Sequence, residues 1–190
     1  PANATKITDE SNNISGYWYV EGNVTIDRTL TLGGDTHLIL CDGAELTINT
    51  DRDGIDYGAN NLTIYAQSSG THAGKLTINS RLNGFYSGSS IRNFTINGGI
   101  ISVTASSNHG IYTAGAVTIN GGIISVTASS NYYGIYAFSA VINGGTVSAT
   151  SDSYGIYTAN GSGHNVTING GKVYAKGTYY GINSADDINL

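Results

Sequence analysis

Apolar and polar residues alternate in short runs along most of this chain. In "IISVTA" (100–105), Ile101, Val103 and Ala105 alternate with Ser102 and Thr104. A period of two predicts a β-strand with Ile101, Val103 and Ala105 facing a core and the other two facing water. No stretch shows helical spacing. Leu, Lys, Glu and Met, which favour helices, are scarce after residue 82. Gly and Asn punctuate the runs and predict corners where the backbone turns through positive φ.

The runs repeat. "TINGGIISVTASSNHGIYTAGAV" (95–117) is followed by "TINGGIISVTASSNYYGIYAFSAV" (118–141). The Asn-Gly-Gly triplet stands at Asn97, Asn120, Asn143 and Asn169, with steps of 23, 23 and 26 residues. A Gly-Ile pair recurs at Gly110, Gly134, Gly155 and Gly181, and a weaker copy at Gly54 and Gly84. A hydrophobe-Thr-Ile strand core begins at Leu46, Leu62, Leu76, Phe94, Val117 and Val166. Each unit reads as three short strands, and units of this length stack as coils of a solenoid. The expected fold is therefore all-β: a right-handed parallel β-helix of about six three-stranded coils. The hand follows the general rule for parallel crossovers. Ile96, Ile119, Ile142 and Ile168 should form one stacked core column, and Ile111, Ile135, Ile156 and Ile182 another. A leucine-rich repeat is excluded because no Leu occurs between residues 83 and 189.

Corner asparagines at Asn79, Asn97, Asn120, Asn143 and Asn169 are candidates for an internal hydrogen-bonded ladder up the stack. The first 45 residues depart from the repeat and carry the only Trp. Residues 1–45 are read as a capping β segment, with Trp18 packed over the first coil, and residues 46–190 as the coils. The pattern reaches Leu190 in mid-coil, which predicts a module belonging to a longer chain with further domains.

Only 11% of residues are charged, against about 25% in ordinary domains. The surface must therefore be built from Ser, Thr, Asn, Gly and Tyr. A net charge of −5 argues against nucleic acid as a partner. No apolar run approaches the roughly 20 residues that span a bilayer, so no membrane insertion is expected. Cys41 is alone and is read as a small buried hydrophobe.

Candidate chemistry is sparse. No acidic residue occurs between Asp56 and Asp152, so the regular coils lack a carboxylate pair for glycoside hydrolysis. Acids do gather in "NTDRDGIDYG" (49–58). Asp51, Asp53 and Asp56 set hard oxygen ligands around a Gly turn, a pattern that suits Ca²⁺, against the alternative of a solvated corner. That stretch and the "NHG" at 108–110 resemble elements of polygalacturonases, but His109 fills the slot of Tyr133, Tyr154 and Tyr180 and is better read as a repeat variant. His37, His72 and His164 have no metal-ligand spacing.

The tyrosines form the more informative set. Tyr86, Tyr112, Tyr136 and Tyr157 each follow the repeat Gly by two residues and should point outward as a vertical stripe. His109, Tyr133, Tyr154 and Tyr180 precede the Gly and form a second set. Aromatic faces with polar rims commonly hold sugar rings, and stacked aromatics also stabilise sheets directly. Thr47, Thr63, Thr77, Thr95, Thr118 and Thr167 share the middle place of the strand core. A flat Thr array of that kind can bind ice, although Val141 interrupts it.

The lead-in "YWYVEGNVTIDRTLTLGGDTHLILCDGAELTI" followed by the "TINGG" repeat resembles right-handed parallel β-helix modules of adhesin-like surface proteins from Gram-positive gut Firmicutes. Such modules are similar to a clostridial carbohydrate-binding β-helix family. The resemblance implies an extracellular, secreted or wall-anchored location and a non-catalytic role. It further implies a polysaccharide or host glycan as partner, with calcium as the only cofactor suggested. The expected function is a cell-surface module binding carbohydrate along the Tyr stripe. The alternatives are a structural spacer with no ligand and a divergent polysaccharide lyase or hydrolase.

Overall fold

A computed structural model describes residues 3–88, 91–129, 131–159 and 162–190. Among these residues every strand pairing is parallel. The chain winds as a β-solenoid of about seven turns, with three strands in each turn. The one helical element described is a single 3-10 turn at Gly70–His72.

Three walls result. Sheet I contains the longest repeat strands, including Glu45–Thr50, Lys75–Ser80, Ile100–Ala105, Ile123–Ala128 and Thr146–Ser151. Sheet II follows in each turn, through Phe85–Ser87, Ile111–Thr113, Tyr133–Ala137 and Tyr154–Thr158. Sheet III completes the turn through Leu62–Ala66, Phe94–Ile96, Ala116–Ile119 and Ser139–Ile142. The long strand Leu30–Leu40 runs through the corner between sheets II and III and belongs to both.

Register is held by identical or similar residues stacking on each other. Ile96 pairs with Ile119, Ile119 with Ile142, and Ile142 with Ile168. Phe85 lies under Ile111, Ile135, Ile156 and Ile182 in the same way. Ile101, Val103 and Ala105 are buried, while Ser102 and Thr104 face outward. The two expected core columns are therefore present. Slipping a strand by one residue would turn its whole apolar set into water, so burial locks the register.

Turns begin earlier than residue 46. Asn23–Ile26 pairs in register with Glu45–Ile48, and Leu30–Leu40 pairs with both sheet II and sheet III strands of the next turn. The lead-in thus supplies strands to all three walls, which gives about seven turns where the sequence pattern suggested six. Beyond it, Ile14–Val20 stacks on Leu30–Leu40, and Thr5–Lys6 stacks on Trp18 and Tyr19. Trp18 packs against the core, and its indole Nε1–H donates to the Ser15 carbonyl at 2.8 Å. Cys41 packs against the same core but is only partly buried.

Two kinds of glycine make the coils possible. Gly99, Gly122, Gly145 and Gly171 adopt φ between 84° and 99°, a region that side-chain-bearing residues avoid. The repeat glycines entering sheet II serve a different need. A Cβ at Gly134 would lie 2.5 Å from the Gly155 carbonyl oxygen, and one at Gly110 would meet Val126 Cγ1 at 2.1 Å. Here the backbone itself is packed against the neighbouring wall.

The asparagine ladder runs through Asn97, Asn120, Asn143 and Asn169. The side-chain amides of Asn120, Asn143 and Asn169 each donate to the Oδ1 of the Asn one turn below at 2.7 Å. These residues are exposed, so the ladder lies on the outside of the corner rather than in the interior. Asn79 belongs elsewhere. It sits in sheet I opposite Thr104 and donates to Asn49 Oδ1 at 3.0 Å. The Thr set divides in the same way: Thr47 and Thr77 lie in sheet I, while Thr63, Thr95, Thr118 and Thr167 lie in sheet III with Val141 between the last two. The hydrophobe-Thr-Ile core suits any strand with one buried face, so it does not by itself say which wall it builds.

Candidate functional site

The outer face of sheet II carries the side chains of interest. The longer sheet II strands place two buried residues, the repeat Gly and Ile, between two outward ones. In Tyr133–Ala137, Gly134 and Ile135 are buried while Tyr133 and Tyr136 remain partly exposed. The expected stripe of Tyr86, Tyr112, Tyr136 and Tyr157 stacks in register over four turns. Successive ring centroids are 5.7, 4.9 and 5.5 Å apart, with planes within 19° of parallel.

The second set joins the first instead of pointing away from it. His109 stacks on Tyr112 at 5.1 Å, and Tyr133 on Tyr136 at 5.6 Å and on Tyr157 at 4.6 Å. Tyr154 continues the array to Tyr180 at 5.9 Å. The turn Gly-Ile keeps both flanking residues on the outside, because the Gly backbone, not a side chain, fills the space beneath it. Eight rings thus form one continuous surface along the solenoid axis. Near-parallel rings at these spacings are offset stacks, so each leaves part of a face and an edge uncovered.

Where the aromatic columns begin, polar residues occupy the same positions. Asp56 is the register partner of Tyr86. Asp53 precedes Gly54 as Tyr133 precedes Gly134. A hydrogen-bonded chain climbs this second column: Asn83 N–H donates to Asp53 Oδ1 at 2.9 Å, His109 N–H to Asn83 Oδ1 at 3.2 Å, and Tyr133 N–H to His109 Nδ1 at 3.1 Å. The last bond requires His109 Nδ1 to be unprotonated. Burial pushes the His109 pKa down to about 4, so the ring is neutral at physiological pH. Burial also raises the Tyr86, Tyr133 and Tyr136 hydroxyls above the ordinary phenol value, with neighbouring tyrosines, and for Tyr86 also Asp53 and Asp56, adding to the effect. They act as neutral donors and acceptors.

The three aspartates do separate jobs. Asp51 offers its backbone carbonyl to Arg81 Nε at 3.0 Å. Asp53 also accepts from the Asn83 amide at 2.8 Å. Asp56 Oδ1 accepts from Gly58 N–H at 3.0 Å, and burial raises its pKa above the usual carboxylate range. Among the described residues, no three of His, Cys, Asp and Glu converge as metal ligands.

Concavity along the aromatic surface is slight. A cleft of about 250 Å³ lies between Asn83, Tyr86, Asn108, His109 and Tyr112. A different groove of about 300 Å³ runs over the Asn-Gly-Gly corners, walled by residues such as Ala66, Ser69, Gly99 and Gly122, with no aromatic or charged side chain. The first has rings and amides; the second has mostly backbone. An open strip of rings suits a long ligand lying across it better than a small molecule engulfed in a pocket.

Sequence reasoning missed Tyr132 and Tyr179, which touch the array at His109 (5.0 Å) and Tyr154 (5.7 Å), and it missed Tyr57. Tyr57 is fully buried and forms an interior cluster with Phe94 and Phe85, at centroid distances of 5.8 and 4.5 Å for the Tyr57–Phe94 and Phe85–Phe94 pairs. Its position two residues after an inward Ile was the available signal, since Ser87 and Thr113 hold the corresponding inward place in sheet II.

Fold and surface together define a β-solenoid module with an aromatic strip on one wall. Residues 85–190 match the model of a family described as carbohydrate-binding domain-containing protein. That segment covers 106 of the 190 residues and begins one residue before Tyr86. The chain belongs to this family. No curated protein and no solved structure matches it.

Proposed function

We propose that the chain is a non-catalytic, cell-surface module that binds carbohydrate along the outer face of sheet II. Tyr86, Tyr112, Tyr136 and Tyr157 form the platform, and His109, Tyr133, Tyr154 and Tyr180 widen it. The single observation that carries this reading is the continuity of eight rings within a segment matched to a carbohydrate-binding family. Sugar C–H groups pack on partly open ring faces, while the hydroxyls of Tyr and the amide of Asn108 meet sugar hydroxyls. The module works outside the cell, secreted or wall-anchored as part of an adhesin-like protein. This reading needs no metal: Asp53 Oδ1 and Asp56 Oδ1 accept corner N–H bonds and serve the turn.

The test is retention on plant, mucin and microbial glycans, with calcium and with chelator. Triple substitution Y112A/Y136A/Y157A should abolish retention, and chelator should leave it unchanged. Loss of retention with chelator would assign Asp51, Asp53 and Asp56 a metal role instead. A ligand-free spacer is favoured by the mutual stacking of the rings, which stabilises the wall with or without sugar. Absence of retention on every glycan would leave that second reading standing.

A further inference from the structure

Charge is distributed unevenly around the solenoid. The chain has eight Lys and Arg residues. None lies in a sheet II strand. Lys75, Lys172 and Lys176 lie in sheet I strands. Arg52 and Arg81 stand in corners leading into the two turns around Tyr86, where Asp51, Asp53 and Asp56 share that end, and Arg81 Nε donates to the Asp51 backbone carbonyl. The aromatic strip therefore offers neutral rings along its length, no Lys or Arg within its strands, and a mixed cluster of Asp51, Asp53 and Asp56 with Arg52 and Arg81 at one end.

Spacing along the strip is equally regular. One Tyr of the main stripe is presented per turn, with centroids 4.9–5.7 Å apart. That is close to the advance of one sugar residue in an extended polysaccharide. A chain laid parallel to the solenoid axis would therefore place one sugar on each Tyr from Tyr86 to Tyr157.

We propose that this strip selects uncharged polysaccharides, bound lengthwise at one sugar per turn, and discriminates against polyuronates and other polyanions. The proposal rests on the carbohydrate-binding reading of the same face. Its physical basis is that a polyanion would set a carboxylate against the turns of Tyr112, Tyr136 and Tyr157, whose strands hold no Lys or Arg to receive it. It would also approach Asp53 and Asp56 and a protein of net charge −5. Desolvating such a charge without a partner is costly, and like charges repel over roughly 10 Å at moderate ionic strength.

Two matched pairs of soluble polymers test this: hydroxyethyl cellulose against carboxymethyl cellulose, and methyl-esterified against de-esterified polygalacturonate. Affinity electrophoresis or calorimetry would be run at low salt with chelator present. The neutral member of at least one pair should bind, and its acidic partner should bind at least ten-fold more weakly. The substitution pair D53N/D56N, with the fold checked by circular dichroism, should narrow that gap, as should high salt. Y112A/Y136A/Y157A should abolish binding of the neutral polymer. Equal or tighter binding of an acidic member, with binding still lost in the Tyr variant, would overturn the charge selection and leave the carbohydrate face intact. Binding of a neutral polymer that survives the Tyr variant, or no binding of either neutral polymer, would overturn both readings.

Discussion

The outer faces of sheets I and II are built on the same turns and the same parallel ladder, yet they carry different chemistry. On sheet I the columns run Thr47, Thr77, Ser102, Ser125, Ser148 and Asn79, Thr104, Thr127, Thr150. These are short polar side chains that hydrogen-bond locally, as Thr127 and Thr150 do at 3.3 Å between hydroxyls. On sheet II the columns are Tyr, with His109 as the variant. Both walls bury an apolar column, Leu, Ile, Val and Ala on sheet I and Phe85, Ile111, Ile135 and Ile156 on sheet II, where a second inward column adds Ser87, Thr113, Ala137 and Thr158. The comparison teaches that the core fixes the coil while the outward positions are free to specialise. The specialised wall is the one where glycine lets two large residues per turn face outward.

The strongest way to break this comparison is to remove that glycine. Gly134→Ala puts a Cβ 2.5 Å from the Gly155 carbonyl and 3.2 Å from Thr150 N, so it presses sheet II against sheet I. A loss of about 3 kcal/mol is expected in chemical denaturation. An unchanged midpoint would mean that the wall can widen without cost.

Acid should act on sheet II next. His109 is held near pKa 4 in the folded protein, against about 6.5 when unfolded. The unfolded chain therefore binds the extra proton between these values. Stability is full above pH 6.5 and falls as the pH drops toward 4, by up to about 3 kcal/mol. Unfolding midpoints at pH 7.5, 5.5 and 4.5 would show it. His109→Tyr, which copies the later turns, should flatten the part of the profile due to this residue. An identical profile in the variant would place the acid sensitivity elsewhere.

Smaller effects separate corners from faces. Asn143 both gives and receives a 2.7 Å bond in the exposed ladder. Asn143→Ala should cost about 1 kcal/mol by thermal unfolding, without touching glycan retention. Reduced retention would link the corner to the binding wall. Thr127→Ala on sheet I is the mildest change, expected within about 0.5 kcal/mol of the parent and with retention intact. A clear loss of retention from Thr127→Ala would move the binding face from sheet II to sheet I.

Much of this was legible in the chain. Alternation at Ile101, Val103 and Ala105, and the returning Ile of each unit, determined parallel strands stacked on their own copies. Such a column buries its members only in one register. The same spacing placed Tyr86, Tyr112, Tyr136 and Tyr157 on one stripe. Asn79 also showed its difference locally, because Ser80 follows it where the other corner asparagines precede Gly. Three things needed the tertiary structure. The hydrophobe-Thr-Ile core could not say that Thr47 and Thr63 belong to different walls, since the period of two reports which side is buried and not which sheet. The lead-in carries the strand core once, at Val24-Thr25-Ile26, but no Asn-Gly-Gly or Gly-Ile copy to mark a coil, and Leu30–Leu40 still stacks in register because backbone pairing tolerates side chains that do not match. The joining of His109, Tyr133, Tyr154 and Tyr180 to the stripe depended on Gly-Ile backbones packing directly against sheet I. Strict alternation would have sent one of two residues three apart inward. Only that close approach, set by contacts between walls, puts both on the same surface.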